Sequence, residues 1–366
     1  MNLTQLDKCI VPLLMAGKTL EIRSSPGRGK SEFTRSLPAK MKKLTGMDWG
    51  FSTCFLATMT PTDMMGYMVP LKDDKGHVLS QFSLPSWFQT SDPVTGYLDG
   101  KLASDFKHGI LFLDEFGQGE ADVKRASAEL MLNKQLGPHR LPNGWMVIAA
   151  SNFASDRSGV TKDFDFLINR RTILEITDDL ATWEAWAFAN GVNPVLITFA
   201  NQNSQVVFTK GVPDKQGPWC TPRSLVTLGK IYEHMLDANG DLPTDSSAIE
   251  IAHGTIGPAP TAQLMAMIKL GQEMPKFADI VANPMNAKLP SKPDAQMLVC
   301  YRLAAAVEEK NVDPVVTYME RMPKEFSVTF AKAAVRRDNT LVNTEAFGKW
   351  CTRNATLMSA LRDVNL

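Results

Sequence analysis

The segment from residue 24 to residue 31 has the residue types and spacing of a loop that binds phosphate. It reads Ser-Ser-Pro-Gly-Arg-Gly-Lys-Ser and departs from the pattern GxxxxGK[ST] in its first position, where Ser24 replaces glycine. In such a loop, glycines let backbone N–H groups turn toward phosphate oxygens, and the start of the following helix favours negative charge. The Lys30 ammonium would reach the β and γ phosphates, and the Ser31 hydroxyl would bind Mg²⁺.

The whole loop is therefore a candidate nucleotide-binding segment. The residues expected to contact the nucleotide are Ser25, Pro26, Gly27, Arg28, Gly29, Lys30 and Ser31. A surface turn that happens to contain Gly-Lys-Ser is the alternative. The predicted strand before the loop and the predicted helix after it favour the phosphate loop.

A pair of acidic residues, Asp114 and Glu115, directly follows the apolar run at residues 110–113. Such a run is typical of a strand buried on both faces of a parallel sheet. Ligands of open α/β sheets bind at the carboxyl ends of the strands, where these carboxylates are expected. Asp114 would help to hold Mg²⁺, mostly through water, and Glu115 would orient and activate an attacking water. A solvated strand end without a catalytic role is the alternative.

Three further polar residues have positions that favour a role at the same site. Asn152 ends an apolar strand expected beside the strand of Glu115, where a neutral amide can polarise a water without titrating. Arg170 lies at the edge of the predicted sheet domain, and a guanidinium supplied in trans stabilises charge on a transferring phosphoryl group. Arg223 follows Pro222 at a predicted helix start, where the helix dipole disfavours a cation unless it contacts phosphate.

Each of these three residues also has a purely structural interpretation. Asn152 can form a turn at the strand end, and Arg223 can be ordinary surface charge. Arg170 can pair with Asp163 or Asp165. The residues alone leave these alternatives open.

The elements that must position these side chains alternate between strands and helices up to residue 177. Strands are predicted at residues 19–22, 51–59, 109–113, 145–150 and 171–176. Helices are predicted at residues 3–15, 30–43 and 121–132, and a hairpin at residues 135–145 with Pro142-Asn143-Gly144 as its turn. This alternation indicates an α/β fold with a mostly parallel sheet flanked by helices. From residue 178 onward the sequence is mostly helical, with breaks predicted at residues 211–218, 238–246, 254–262 and 286–294.

The composition excludes several classes of protein. The chain has 366 residues, of which 44% are hydrophobic and 21% charged, as is typical of a globular protein with a sizeable core. Its 39 basic residues balance 39 acidic residues, which argues against a purely electrostatic nucleic-acid binder but leaves room for a local basic patch. Five separated cysteines without a CxxC pair argue against a zinc ribbon and a disulfide scaffold and favour a cytoplasmic location. No apolar run approaches the ~20 residues that span a bilayer, so no membrane association is expected.

With both phosphate motifs placed, the chain resembles the AAA+ ATPases, and within them the MoxR-like branch. Six segments are similar to family motifs and occur in the family's order. They are residues 60–67 (TPxDLLG-type segment), 112–116 (LLLDEI strand), 126–135 (LLxLLExR helix), 147–152 (sensor 1 strand), 166–171 (xLDRF segment) and 221–224 (SPRA sensor 2 motif). The resemblance covers residues 10 to about 235.

The resemblance implies a P-loop NTPase fold in three parts. These are an α/β nucleotide-binding domain at residues 1–177, a helical lid domain at 178–290 and a helical C-terminal extension at 291–366. It also implies that Asn152 contacts the attacking water or the γ-phosphate and that Arg223 belongs to sensor 2.

Two segments depart from the family's sequence pattern: residues 166–171, which resemble the segment that carries the arginine finger, and the phosphate loop. Arg170 occupies the position of the arginine finger, but Asn169 replaces the usual aspartate before it. Because Arg171 is adjacent, either arginine can be the one that reaches a neighbour's nucleotide. Arg28 stands where a small residue is usual, and we expect it to contact solvent rather than phosphate or an adjacent subunit.

The expected function is Mg²⁺-dependent ATP hydrolysis by a homo-oligomeric ring, most often of six subunits, coupled to remodelling or maturation of a protein partner. The alternative is an AAA+ motor or loader directed to nucleic acid, which DNA-stimulated turnover with steep salt dependence would identify. A P-loop kinase acting on a small molecule and a nucleotide switch without turnover fit the Asp114-Glu115 pair less well. No motif that reads the base distinguishes ATP from GTP.

Overall fold

In the computed structural model, residues 1–177 form an α/β unit in which strands and helices alternate. The structure describes residues 1–156, 159–161, 163–177, 179–238, 240–354 and 359. The helices of this part are α1 (Leu3–Met15), α2 (Lys30–Thr45), α3 (Pro61–Met65), α4 (Ala121–Asn133) and α5 (Asp165–Ile168). Its strands are β1 (Leu20–Arg23), β2 (Trp49–Phe55), β3 (Met68–Lys72), β4 (Val78–Phe82), β5 (Gln89–Ser91), β6 (Leu98–Leu102), β7 (His108–Asp114), β8 (Gln135–Leu136), β9 (His139–Arg140), β10 (Gly144–Ser151) and β11 (Thr172–Glu175).

Five of these strands form one parallel sheet in the order β11-β1-β10-β7-β2. In its register Ile22 of β1 lies opposite Ala150 of β10, and Ala149 lies opposite Leu113 of β7. Because every pair is parallel, the carboxyl ends of the strands meet at one edge of the sheet. The predicted fold class, a parallel α/β sheet followed by a helical region, is therefore confirmed.

Alternating residues of the central strands pack on opposite faces of the sheet. Leu111 and Leu113 join the core that includes Val123 of α4. Phe112 joins the other core, which includes Leu6 of α1 and further residues of α2. All of the apolar positions at residues 110–113 are buried, because helices cover both faces.

The hairpin predicted at residues 135–145 is shorter than expected. Only β8 and β9 pair, with Gly137 at a φ of 54° between them. The Pro142-Asn143-Gly144 segment does form a turn, closed by the Trp145 N–H and the Pro142 carbonyl at 2.9 Å, but it leads into β10. A Cβ on Gly144 would lie 2.2 Å from the carbonyl oxygen of Lys107, so this glycine permits close approach of two strands. The predicted turn therefore forms, but the prediction that it closes the hairpin was wrong, because β8 and β9 pair across Gly137.

The chain divides into two compact units, one of Met1–Thr177 with Lys210–Val212 and one of Asp178–Thr209 with Pro213–Leu366. Helices form the second unit: α6 (Leu180–Ala189), α7 (Pro194–Gln202), α8 (Ser204–Val207), α9 (Pro222–Glu233), α10 (Ser246–Ile256), α11 (Pro258–Gln272), α12 (Phe277–Ala282), α13 (Pro293–Ala306), α14 (Val312–Met319), α15 (Lys324–Arg337) and α16 (Glu345–Arg353). One hydrophobic core runs from Trp183 to Cys351. The boundary drawn at residue 290 therefore does not separate two cores.

The break predicted at residues 254–262 is reduced to one residue, Gly257, between α10 and α11. Gly257 has a φ of 86°, and a Cβ there would lie 2.7 Å from the carbonyl oxygen of Pro218. A glycine thus allows a sharp turn where several non-helical residues were expected. Among the helices that the structure describes, none is long and apolar enough to cross a membrane.

Candidate functional site

The candidate site lies where three neighbouring strands of the parallel sheet end. The phosphate loop follows β1, Asn152 follows β10, and the pair of acidic residues lies at the end of β7. Because β10 lies between β1 and β7, Asn152 comes between the phosphate loop and the acidic residues. The strand of Asn152 was expected beside the strand of Glu115, and the pairing of β10 with β7 has that arrangement.

The phosphate loop has the backbone geometry that its glycines predict. Gly27 and Gly29 have φ values of 77° and 79°, in a region that residues with a Cβ rarely adopt. Gly29 is the N-cap of α2, so the N–H groups of the first helical turn, which no carbonyl within the helix can accept, begin at Lys30. The loop residues Ser25 and Pro26 are half-buried beside them. This arrangement suits a phosphate group, because backbone N–H groups and the helix dipole both favour an anion.

Lys30 connects the loop to the neighbouring strand end. Its Nζ lies 2.8 Å from the Ser24 carbonyl oxygen, 3.0 Å from Ser24 Oγ, 3.2 Å from the Ser25 carbonyl oxygen and 2.8 Å from Asn152 Oδ1. The residue is only 8% exposed. Lys30 and Asn152 are 122 positions apart in the sequence, and the fold brings their polar atoms together.

Ser31 and Asp114 form a second contact across the same edge. Ser31 Oγ donates to Asp114 Oδ2 at 2.9 Å, and Asp114 is only 6% exposed. A hydroxyl and a carboxylate beside a phosphate loop fit Mg²⁺, which prefers oxygen ligands and is usually held by one or two protein groups together with substrate phosphates. The donor set at this edge therefore fits the metal that the sequence predicted.

Glu115 differs from Asp114 in both exposure and backbone conformation. Its side chain is exposed, and its φ of 52° and ψ of 35° place it in the left-handed region. Its N–H donates to Asp114 Oδ1 at 3.0 Å. A left-handed residue with a side chain costs about 1 kcal/mol and often marks a functional position. Glu115 is thus exposed at the turn while Asp114, one position earlier, stays buried.

The two adjacent arginines have opposite environments. Arg170 follows α5, is exposed, and donates its backbone N–H to the Leu167 carbonyl at 3.2 Å. The Arg171 side chain is only 1% exposed and forms ion pairs with Glu21 and Asp163. The alternative interpretation of Arg170 was an ion pair with Asp163. In the structure Arg171 forms that ion pair.

The remaining predicted site residues have the following positions. Arg223 is exposed in the first turn of α9, which begins with a capping box between Thr221 and Ser224. It belongs to the helical unit, and its expected role at the nucleotide stays a prediction. Arg28 is only 9% exposed, so the expectation that it contacts solvent was wrong.

Sequence reasoning missed a network of charged residues close to this site. Glu21, Arg23 and Asp163 form it together with Arg171. The available signal was Glu21, a carboxylate between the apolar residues Leu20 and Ile22 in a strand of the predicted helix-flanked sheet. A charged residue in such a strand needs a partner of opposite charge.

Comparisons with known proteins give only distant similarity. No family model matches the chain, and no curated protein matches it. The solved structures that are similar include NtrX from Brucella abortus, with 14% identity, a TM-score of 0.33, and coverage of 100% of this chain and 68% of that one. They also include a mutant of RuvB from Thermotoga maritima, with 11% identity, a TM-score of 0.38, and coverage of 77% and 75%. Similarity at this level does not bear on the activity of the chain.

The assignment of the fold depends on the molecule itself. A phosphate loop joins β1 to α2, a central strand of the same parallel sheet ends in Asp114, and a helical region follows. These features give the chain the P-loop α/β fold with a helical region that its resemblance to the AAA+ ATPases implies.

Proposed function

We propose that this chain is an AAA+ ATPase of the MoxR-like type that hydrolyses ATP to ADP and phosphate with Mg²⁺. The observation that carries the proposal is the pair of contacts from the start of α2 to two other strand ends. Lys30 Nζ lies 2.8 Å from Asn152 Oδ1, and Ser31 Oγ lies 2.9 Å from Asp114 Oδ2. An ammonium, a neutral amide, a hydroxyl and a carboxylate thus converge beside an anion-binding loop, as phosphoryl transfer to water requires.

Each side chain of this group has a distinct chemical task. Lys30 places positive charge beside the β and γ phosphates, while Ser31 and Asp114 supply oxygens for Mg²⁺. The metal, when bound, neutralises phosphate charge and favours departure of ADP. Glu115 accepts a proton from the attacking water, and the Asn152 amide orients that water without titrating. The exposure of Glu115 supports this role, because its carboxylate must meet a water that enters from solvent.

A complete site requires a second subunit in this proposal. Arg170 is exposed two residues after the end of α5, and the exposed Phe166 and Ile168 of α5 leave apolar surface nearby in the chain. A guanidinium on such a surface can stabilise the γ-phosphate of a neighbouring copy. Head-to-tail contacts form a ring when the rotation between subunits closes, and the MoxR-like resemblance implies such a ring, most often of six subunits.

The ring would use hydrolysis to remodel or mature a protein partner in the cytoplasm. This part of the proposal rests on the MoxR-like motifs of the sequence, such as the segment at residues 60–67. A pull-down with the Glu115→Gln variant in ATP is expected to retain the partner, because bound ATP persists. Recovery of nucleic acid instead of protein would support the alternative of a nucleic-acid motor.

Mixed rings test the proposed function most directly. The Lys30→Ala variant lacks the ammonium of its own site but retains Arg170, while Arg170→Ala retains its own site and lacks the finger. Both are expected to be inactive alone, and mixtures are expected to recover part of the ATPase activity. Arg125→Ala is the matched control, because Arg125 is an exposed arginine of the same unit that pairs with Asp122.

The outcomes of mixing separate two explanations. Recovered activity in rings shown by native mass spectrometry to contain both variants supports a shared site. Inactive mixtures, despite mixed rings, would exclude Arg170 as a finger that acts in trans.

A further inference from the structure

A balanced cluster of charges links β1 and β10 of the first unit to the residue that directly precedes β11. We call it the Glu21 cluster and define it as Glu21, Arg23, Ser151, Asp163 and Arg171. The Glu21 carboxylate accepts hydrogen bonds from Arg23 Nε at 2.8 Å, from Ser151 Oγ at 2.7 Å and from Arg171 Nε. Both guanidiniums also donate to Asp163, that of Arg23 at 3.0 Å. Two carboxylates therefore balance two guanidiniums.

Two members of the cluster are too deeply buried to be ordinary surface charge. The side chains of Glu21 and Arg171 are each 1% exposed. Burial alone would raise the pKa of the Glu21 carboxyl, but bonds and charges from Arg23, Arg171 and Ser151 outweigh it and hold the pKa below its usual value. Glu21 therefore stays ionised and holds Arg171 by both charge and hydrogen bonding.

Three members of the cluster are chain neighbours of candidate site residues. Arg23 directly precedes the phosphate loop, Ser151 directly precedes Asn152, and Arg171 directly follows Arg170. All three donate to one carboxylate, that of Glu21. A single buried group thus joins the segments that carry the phosphate loop, the amide and the finger.

A fourth link runs through an aromatic ring. The Arg171 guanidinium carbon lies 5.1 Å from the centroid of Phe116, which directly follows Glu115. Lys124 Nζ lies 5.5 Å from the same centroid and donates to Thr161 Oγ1 at 2.7 Å. Cations near aromatic rings are attracted to them. Arg171 is therefore anchored by two carboxylates and a ring, whereas Arg170 beside it is exposed.

We propose that Glu21 is a positioning residue, which holds Arg171 and thereby fixes the direction in which Arg170 extends toward a neighbouring subunit. The inference rests on the ATPase function proposed above. It concerns a residue that would contact neither nucleotide nor water. Its effect would appear at the site of the next subunit, not in the site of its own.

The Glu21→Gln variant tests this role because it keeps the size of the side chain. An amide oxygen can still accept from Ser151, but the negative charge that holds Arg171 is lost. We expect affinity for ATP to change by less than about threefold and kcat to fall by about 10²-fold, since displacement of a catalytic group by ~1 Å costs about that much. Isothermal titration and steady-state kinetics measure the two quantities separately.

Two mixtures distinguish a defect in the finger from a defect in the variant's own site. Glu21→Gln subunits mixed with Lys30→Ala subunits, which retain an anchored finger, should regain activity at about a quarter of the interfaces of randomly mixed rings. Glu21→Gln subunits mixed with Arg170→Ala subunits should stay inactive, because neither supplies a well-placed finger. Recovery with Arg170→Ala but not with Lys30→Ala would mean that Glu21 supports the nucleotide site of its own subunit, and this result would overturn the proposal. Wild-type kcat in Glu21→Gln, or two inactive mixtures despite mixed rings, would overturn it as well.

Two further variants control for stability. Glu184→Gln makes the same change at a buried carboxylate of the helical unit, which bonds to Asn201 at 2.8 Å and to Tyr301. It should lower the melting temperature with little effect on kcat. If Glu21→Gln does not fold, Glu21→Asp takes its place, because it keeps the charge and shortens the side chain by one methylene. The same two mixtures, made with Glu21→Asp, then test whether Glu21 acts through the finger.

Failure of this inference differs from failure of the proposed function. If Arg170→Ala retains wild-type turnover, the proposed shared site and the positioning role are both overturned. If Arg170→Ala is inactive and recovers in mixtures but Glu21→Gln is fully active, only the positioning role is overturned.

Discussion

Replacing the two adjacent arginines one at a time should affect the stability of the protein to very different extents. Arg171→Ala removes a guanidinium that is 1% exposed and paired with Glu21 and Asp163. Arg170→Ala removes an exposed guanidinium one position earlier. The substitutions share their chemistry and their chain neighbourhood, so they differ mainly in burial.

The contacts of Arg171 set the expected magnitude. Breaking a buried ion pair by removing one partner costs about 3–5 kcal/mol, because the other charge stays buried without compensation. Arg23 still pairs with both carboxylates after Arg171→Ala, and Asp163 is 16% exposed, which favours the lower end of that range. We therefore expect Arg171→Ala to lower the free energy of unfolding by about 3 kcal/mol. Arg170→Ala is expected to change it by less than about 0.5 kcal/mol, as is usual for exposed positions.

Thermal unfolding followed by circular dichroism measures the difference. For a unit of this size, 1 kcal/mol corresponds to a shift of about 2–4 °C, so Arg171→Ala should lower Tm by roughly 6–12 °C. Hydrogen exchange at the amides of β1 and β11 then shows whether the loss lies in the first unit, because a two-unit chain need not unfold in one step. Arg171→Lys, which keeps the charge but not the forked geometry, should give an intermediate loss.

A particular pattern of results would refute this reasoning. Equal melting temperatures for the two alanine variants would mean that Arg171 is not anchored by Glu21 and Asp163. A large decrease in Tm for Arg170→Ala and none for Arg171→Ala would mean that Arg170, and not Arg171, is the buried and paired residue. In either case the assignment of Arg170 as the finger would lose its basis.

The remaining predictions concern the site and its charges. Lys30→Met, which keeps the unbranched stem, should weaken ATP binding at least tenfold by calorimetry, or about 1.4 kcal/mol, and unchanged affinity would contradict the phosphate-loop assignment. Glu115→Gln should bind ATP, but its kcat in a phosphate-release assay should fall by about 10²-fold or more, because an amide cannot accept the proton of water. Wild-type turnover in this variant would mean that Glu115 has no catalytic role. The lowered pKa of Glu21 means that its contribution to stability is complete above the ordinary glutamate value of 4.5 and is lost as pH falls below it through the folded-state pKa. The difference in stability between wild type and Glu21→Gln should therefore narrow in urea unfolding as pH falls from about 7 toward about 3, and a constant difference would contradict the lowered pKa.

Much of the fold was predictable because it depends on local patterns. The apolar run at residues 110–113 predicted a buried strand, and the loop between a strand and a helix predicted the phosphate site. β7 and α2 have those positions in the structure. That the turn at Gly144 leads into β10 and closes no hairpin was not predictable from the same rules, because this glycine serves a close contact with Lys107 that only the assembled sheet creates.

The buried charges were harder to predict because they depend on contacts between distant parts of the chain. Glu21 and Arg171 are 150 positions apart, and neither position indicates the other through spacing or periodicity. Glu21 alone gave a signal, as a carboxylate between two apolar residues of a predicted strand. Its partner could be predicted only with knowledge of the order of the strands, since β1 lies between β10 and β11 in the sheet.

The choice between two adjacent arginines shows why a motif cannot assign a role by itself. A motif constrains residue types along the chain, but a one-residue step at the start of an edge strand can exchange an exposed position for a buried one. Arg171 pairs with the buried carboxylate of Glu21 and the half-buried carboxylate of Asp163, and moving it to a neighbour's nucleotide would leave both to share Arg23. Arg170 carries no such cost, because its side chain is already exposed. The free energy of burying charge therefore favours Arg170 as the residue available to another subunit.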